Sequence, residues 1–158
     1  METEKYIFFW GGPFSQWFKS DFTIGGTTYN CAEQYMMAQK ALLFGDTESY
    51  EAIMKTRDPS KQKAIGRTVK NFDANKWNLV CRKVVYDANL AKFSTPALKP
   101  CLLDTGDKEI VEASPYDRIW GIGLGTDDPR CLDKTKWQGT NWLGIAIMEV
   151  RDTFRKQT

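Results

Sequence analysis

The chain has 158 residues, an ordinary size for a single domain with one hydrophobic core. Its formal net charge of +2 is too small for a protein that coats nucleic acid or a membrane surface, although a local basic pocket remains compatible with it. No apolar run approaches the length of a membrane span, and the charged start of the chain does not resemble a signal peptide. We therefore expect a single cytoplasmic domain over residues 1–158.

Histidine is absent from the sequence. Its absence removes the commonest general base, the Ser–His and Cys–His nucleophile pairs and most zinc sites. The four cysteines are scattered and form no Cys-x-x-Cys pair, a pattern typical of small buried apolar residues rather than ligands. We expect no metal and no cofactor, so carboxylates, lysine, tyrosine or a hydroxyl must carry any proton chemistry.

The first part of the chain is rich in residues that favour β-structure. Aromatic residues in Lys5–Trp10 predict a strand. Phe22–Ile24 and Thr27–Tyr29 flank Gly25 and Gly26, and two glycines between β-prone runs are a good signal for a two-residue hairpin. These segments predict a small antiparallel β-sheet.

Helical signals follow the hairpin. Asn30 and Glu33 have the spacing of a capping box, which predicts a helix from there to about Phe44. Asp73 is a suitable N-cap for the longest helix, which should run through Phe93 because apolar residues recur behind Asp73 every three or four positions. Shorter helices are predicted at 48–55, 61–69 and 95–103, a strand at 110–113, and a last helix capped at 140 or 141. The predicted fold class is a helix-rich α+β domain with a small antiparallel β-sheet.

Residues 112–125 have a composition unlike that of a core helix or an ordinary strand. Asp117, Arg118 and Trp120 contribute a carboxylate, a guanidinium and an indole, and glycines follow at 121, 123 and 125. Such glycines allow positive φ angles and close approach of a ligand, so the segment predicts a site loop. The alternative is a surface ion pair in a turn. The glycine spacing is not that of a dinucleotide fingerprint.

Two further patterns carry candidate chemistry. Glu33 and Lys40 are seven residues apart and share one helix face, where they could serve as an acid/base and as a cation or amine nucleophile. The alternative is a cap and a solvated lysine. Lys63 lies in a basic helix that either is a solvated face or steers an anionic nucleotide. Residues 139–141 precede a helix whose free amides could bind phosphate.

These residues belong to an ordered series of motifs. The motifs are Phe14–Phe22, Tyr29–Ala41, Asp58–Pro59 with Lys63–Arg67, Trp77, Lys92–Phe93, Leu102–Gly106, Glu112–Gly121 and Gly139–Gly144. Together they resemble the YbiA-like, or NADAR, family of N-glycosidases over nearly the whole chain, roughly from Phe8 to Arg151. Gln16 is one departure, because many relatives carry Asn there.

The resemblance implies hydrolysis of an N-glycosidic bond between a ribose carbon and a nitrogen of a base or aminopyrimidine. Family members are associated with phosphoribosylamino intermediates of riboflavin synthesis and with ADP-ribosylated guanine in nucleotides or DNA. The expected partner is therefore a nucleotide-like small molecule or ADP-ribosylated guanine, with no cofactor, no membrane and no obligate protein partner. A rival interpretation is a module that binds ADP-ribose or a nucleotide without cleaving it.

The resemblance and the chemistry of the residues together give candidate roles. Cleavage of a ribosyl–nitrogen bond needs an anion near the sugar carbon and an acid near the base. The candidate catalytic residues are Glu33, Lys40 and Asp117; the candidate substrate-binding residues are Trp77, Trp120, Phe18, Arg118, Lys63, Gly121 and Asn141.

Overall fold

The computed structural model describes residues 1–157, which form six α-helices and four β-strands. The helix-rich α+β class is confirmed. The chain divides into a central unit, Gln16–Thr95, and a terminal unit made of Met1–Ser15 and the chain from Pro96 onward. In chain order the elements are β1 (Tyr6–Phe9), β2 (Phe22–Ile24), β3 (Thr27–Tyr29), α1 (Ala32–Leu43), α2 (Thr47–Lys55), α3 (Pro59–Gly66), α4 (Ala74–Phe93), α5 (Lys99–Leu103), β4 (Glu109–Glu112) and α6 (Trp142–Lys156).

The predicted hairpin is present in the central unit. Strands β2 and β3 pair antiparallel, with Phe22 opposite Tyr29. Gly25 and Gly26 both have positive φ angles, of 58° and 83°, as a tight two-residue hairpin turn requires. Tyr29 also packs edge-on against Tyr35 of α1, with ring centres 5.0 Å apart. The hairpin is thereby joined to the first helix.

The beginning of α1 differs from the prediction. Its N-cap is Cys31, whose side chain makes no capping hydrogen bond. The predicted capping box between Asn30 and Glu33 is therefore wrong. The side chain of Asn30 is used elsewhere, because its Oδ1 accepts a hydrogen bond from Nε2 of the buried Gln62 at 3.1 Å. It is Gln34, one residue later, whose Oε1 accepts from the Asn30 backbone N–H at 2.8 Å.

Helix α1 is the centre of this unit, since it contacts α2, α3 and α4. The approach of α3 is close: a Cβ atom added at Gly66 would collide with the side chain of Met37. Helix α4 begins as predicted at Asp73, whose Oδ1 accepts from the backbone N–H groups of Asn75 and Lys76. The three- and four-residue apolar spacing correctly marked its buried face, which includes Trp77, Cys81, Val85 and Ala88.

The terminal unit contains a strand pair that the sequence analysis did not predict. Strands β1 and β4 are parallel, with Tyr6 opposite Glu109 and Phe9 opposite Glu112. Helix α6 contacts β4. A core cluster of Phe8, Val111, Ala113, Ile122, Leu124 and Cys131 fills this unit. Within residues 1–157, none of the helices combines the length and apolar character needed to cross a membrane.

Candidate functional site

Glu33 lies in the first turn of α1 and is only 6% exposed. Its backbone N–H donates to the carbonyl of Gln16 at 3.0 Å. The side chain of Gln16 accepts a hydrogen bond from Asn89 of α4, also at 3.0 Å. Gln16 therefore ties the start of α1 to the later turns of α4, and the backbone that carries the Glu33 carboxylate is held in place by these bonds.

Lys40 lies on the same helix, in its last turn, and is half-buried. Burial lowers the pKa of Lys40, the carboxylate of Glu33 acts in the opposite direction, and Arg67 adds to the lowering. Glu33 and Lys40 thus act on each other electrostatically. Because the pKa is lowered, a larger fraction of this amine is neutral at a given pH than for an ordinary lysine, and the neutral amine is the nucleophilic form.

Phe18, Lys63 and Trp77 lie in different surroundings within the central unit. The partly buried ring of Phe18 lies 5.6 Å from Nζ of Lys92. Nζ of Lys63 instead lies 6.0 Å from the ring of Trp17. Trp77 is 8% exposed on the buried face of α4. Of the two aromatic candidates here, Phe18 offers more accessible ring surface than Trp77.

Lys92 is a residue that the sequence analysis assigned to a motif without a role. It is fully buried, and its Nζ lies 5.0 Å from the ring of Phe93. Burial raises the pKa of the neighbouring Cys31 thiol to about 11, with Glu33 raising it and Lys92 lowering it. The signal for burial was present in the sequence, because Lys92 lies four residues after Ala88 on the apolar face of α4.

In the terminal unit, Asp117 organises the loop that follows it. Its Oδ1 accepts hydrogen bonds from the backbone N–H groups of Ile119 and Trp120, at 2.9 and 2.8 Å. Among the described residues, no ion pair joins Asp117 to Arg118. The exposed Arg118 instead has Nη2 at 3.5 Å from Oε1 of Gln138. The alternative of a simple surface ion pair is therefore not what the loop contains.

The loop 118–121 is bonded along its length to the start of α6. Four successive backbone N–H groups of residues 140–143 donate to four loop carbonyls at 3.0 to 3.1 Å. The pairs are Thr140 to Arg118, Asn141 to Gly121, Trp142 to Ile119, and Leu143 to Trp120. These amides are already used, so the expectation that 139–141 present free amides to a phosphate is wrong.

Gly121 and Asn141 have structural functions in this unit. A Cβ atom at Gly121 would lie 3.0 Å from the carbonyl oxygens of both Asp117 and Glu112. The space beside this glycine is therefore filled by protein backbone rather than left for a ligand. Asn141, 2% exposed, accepts from the Glu112 N–H and donates to the Ile110 carbonyl, both at 3.0 Å, and so fastens α6 to β4.

Trp120 keeps part of its indole exposed. It meets Trp142 edge-on, with ring centres 5.7 Å apart and planes 77° apart. In such an edge-to-face pair at most one face of a ring is covered, so Trp120 keeps at least one ring face uncovered by that neighbour. A separate shallow pocket of the terminal unit contains none of the predicted site residues, and it is lined by residues 4–6 and 107–109.

A family model, curated proteins and a solved structure all match this chain over most of its length. The NADAR domain model matches residues 8–155. The N-glycosidase R617 of Acanthamoeba polyphaga mimivirus is 44% identical, over 96% of this chain and 98% of its own length. An N-glycosidase of Nostoc punctiforme is 32% identical, over 91% of this chain and 86% of its own. The NMR structure of the E. coli protein YbiA matches with a TM-score of 0.80 and 27% identity, covering 99% of this chain and 89% of that one. The chain therefore belongs to the NADAR domain family.

Proposed function

We propose that this protein is an N-glycosidase that hydrolyses the bond between a ribose carbon and a nitrogen of a base or aminopyrimidine. Two relatives that match more than nine-tenths of this chain are N-glycosidases, which favours catalysis over binding alone. The observation that carries the proposal is that the buried Glu33 lies on the same helix as Lys40, a half-buried amine whose pKa is lowered by burial. A buried carboxyl group and an amine of lowered pKa can supply the anion and the nucleophile of such a reaction without an imidazole.

Glu33 is assigned the anion that faces the sugar carbon. As the ribosyl–nitrogen bond breaks, positive charge develops on the sugar ring, and a fixed carboxylate stabilises that charge. A carboxylate that is largely shielded from water suits this role.

Asp117 is assigned the acid that protonates the leaving nitrogen. Its Oδ1 is bonded to the loop backbone. Among the described residues, Oδ2 accepts no hydrogen bond from protein, and the side chain is partly exposed. One oxygen therefore holds the side chain in position while the other is free to exchange a proton with water and with the substrate.

Lys40 is assigned the attack on the sugar. Its neutral amine adds to the anomeric carbon as the carbon–nitrogen bond to the base breaks, and the base leaves with the proton from the acid. The sugar ring then opens to a Schiff base, and water hydrolyses that bond to release the sugar and return the amine.

Borohydride trapping tests this assignment. Reduction during turnover should leave the opened sugar covalently attached to the wild-type protein, because borohydride converts the Schiff base into a stable secondary amine. Mass spectrometry should detect that adduct on Lys40. The Lys40→Ala variant should give none, whereas Lys61→Ala, which removes an exposed lysine of α3, should keep the full yield. Absence of any adduct in the wild type during turnover would leave Lys40 as a binding residue only.

The remaining candidates are assigned to substrate binding. Phe18 and Trp120, which are partly exposed, are proposed to stack on the base, an interaction of about 1–3 kcal/mol per base in nucleic-acid binders. Trp77, which is buried on α4, is proposed to support substrate binding in the central unit from the core. Arg118 and Lys63 are proposed to contact phosphate. Gly121 and Asn141 enter the proposal as supports of the loop that carries Asp117.

The substrate is identified by a direct comparison. Purified protein is incubated separately with a phosphoribosylaminouracil and with DNA carrying ADP-ribosylated guanine, and the products are separated by chromatography. We expect one of the two substrates to be cleaved, which releases free aminouracil or restores unmodified guanine in the DNA. The Glu33→Gln variant should abolish this product. Tight binding of ADP-ribose without release of a base from either conjugate would instead identify a binding module.

A further inference from the structure

Phe72 is a large aromatic side chain held outside the core of the central unit. It lies in the segment between α3 and α4 and is 45% exposed. Nζ of Lys40 lies 4.6 Å from the centre of its ring. The ring of Phe44, the C-cap of α1, meets it edge-on with centres 5.4 Å apart. Phe72 therefore contacts the C-terminal end of α1 beside the amine of Lys40.

The backbone before Phe72 is fastened to the segment that follows α1. The N–H of Lys70 donates to Oδ2 of Asp46 at 2.9 Å, and the N–H of Asp46 donates to the carbonyl of Ala41, also at 2.9 Å. The bond from Lys70 is the main cause that lowers the pKa of Asp46 to about 2, so this carboxylate is ionised at neutral pH. Asn71 turns the chain with a φ angle of 62°, in the left-handed region. The ring is thus placed by specific bonds of its own segment, and not by burial.

We infer that Phe72 is a positioning residue, which holds the amine of Lys40 in one place and shields it from water. The inference rests on the proposed function, in which this amine attacks the sugar. A lysine side chain loses much rotamer freedom when it is fixed. The face of an aromatic ring attracts an ammonium group and restricts it, while its bulk displaces water.

Burial and two neighbouring charges determine how the pKa of Lys40 should change when the Phe72 ring is removed. The groups acting on its amine are Glu33, on the same helix, and Arg67, at the end of α3. Burial is the largest influence on the pKa of Lys40 and lowers it. Removal of the Phe72 ring exposes the amine to water, which raises the pKa of Lys40. It also removes a cation–π contact that favours the ammonium form, which lowers that pKa. Since burial is the dominant cause, we expect the pKa of Lys40 to rise when the ring is removed.

NMR spectroscopy of ¹³C-methylated lysines tests the inference without any substrate. The signal of Lys40 is the one that disappears in Lys40→Arg. In the wild type it should be displaced by the ring current of Phe72. In Phe72→Ala the displacement should vanish and the titration midpoint should rise, whereas Phe72→Tyr should retain both. Leu79→Ala, which removes an 85% exposed side chain of α4, is the matched control and should change neither.

Activity provides the second measurement. Phe72→Ala should lower kcat roughly two- to fivefold, the range expected for an exposed cation–π contact, and move the rising limb of the pH–rate profile to higher pH. In a Lys40→Ala background the same change should cause no further loss. An unaltered Lys40 signal in Phe72→Ala would overturn the inference. If the signal changes but Lys40→Ala keeps full turnover, the inference on Phe72 stands and the assignment of Lys40 to catalysis fails.

Discussion

Glu33→Gln is expected to lose at least about a hundredfold in kcat, the effect typical of removing one preorganised electrostatic contact from an active site. The amide has the same size and shape as the carboxyl group but cannot carry the negative charge that opposes the developing sugar cation. Steady-state rates measured on the substrate that the wild type cleaves test the expectation. The backbone bond from Glu33 to Gln16 does not involve the side chain, so the start of α1 should keep its position.

The control for this substitution is Glu51→Gln, which makes the same chemical change at an exposed position of α2. It should leave kcat unchanged. Thermal unfolding of both variants separates a loss of chemistry from a loss of fold. Near-normal turnover by a folded Glu33→Gln protein would remove Glu33 from the mechanism.

Asp117→Asn and Asp117→Ala are expected to show the same loss in kcat but different thermal stability. Both remove the acid, so both should lose about 10²–10⁴-fold in kcat on substrates with a neutral leaving base. Asparagine keeps a carbonyl oxygen that can accept from Ile119 and Trp120, whereas alanine leaves both N–H groups without that acceptor. The melting temperature should therefore fall only in the alanine variant.

The nature of the leaving group tests the role of Asp117 as an acid. A ribosyl substrate whose base is already cationic, such as a 7-methylguanine nucleotide, departs without protonation. If such a substrate is cleaved by the wild type, Asp117→Asn should cleave it at nearly the same rate, while Glu33→Gln should remain defective. Equal loss on cationic and neutral leaving groups would contradict the assignment of Asp117 as the proton donor.

Local chemistry made much of the central unit predictable. The hairpin followed from two glycines between β-prone runs, and α4 followed from its cap Asp73 and its apolar spacing. The parallel pairing of β1 with β4 could not be predicted, because it joins segments that are far apart in the chain and periodicity carries no information on which strands pair. The cap of α1 was mispredicted because Asn30 is drawn into a buried bond with Gln62.

The candidate site, like the fold, could be predicted from the sequence only in part. The seven-residue spacing of Glu33 and Lys40 predicted a shared helix face, and the two side chains do act on each other. The glycines near Asp117 were interpreted as room for a ligand, but Gly121 is needed for close backbone packing. Phe72 carried no recognisable signal, since its contact with Lys40 depends on how the segment between two helices is fastened. The hydrogen bond from Lys70 to Asp46 joins residues that are distant in the sequence, so it is known only from the tertiary structure.

The ladder of hydrogen bonds between 118–121 and the first turn of α6 has a kinetic consequence. The loop can leave α6 only by breaking all four bonds, which would leave the backbone N–H groups at the start of that helix without acceptors. In the proposed mechanism, these bonds hold the loop that carries Asp117 in position before substrate binds.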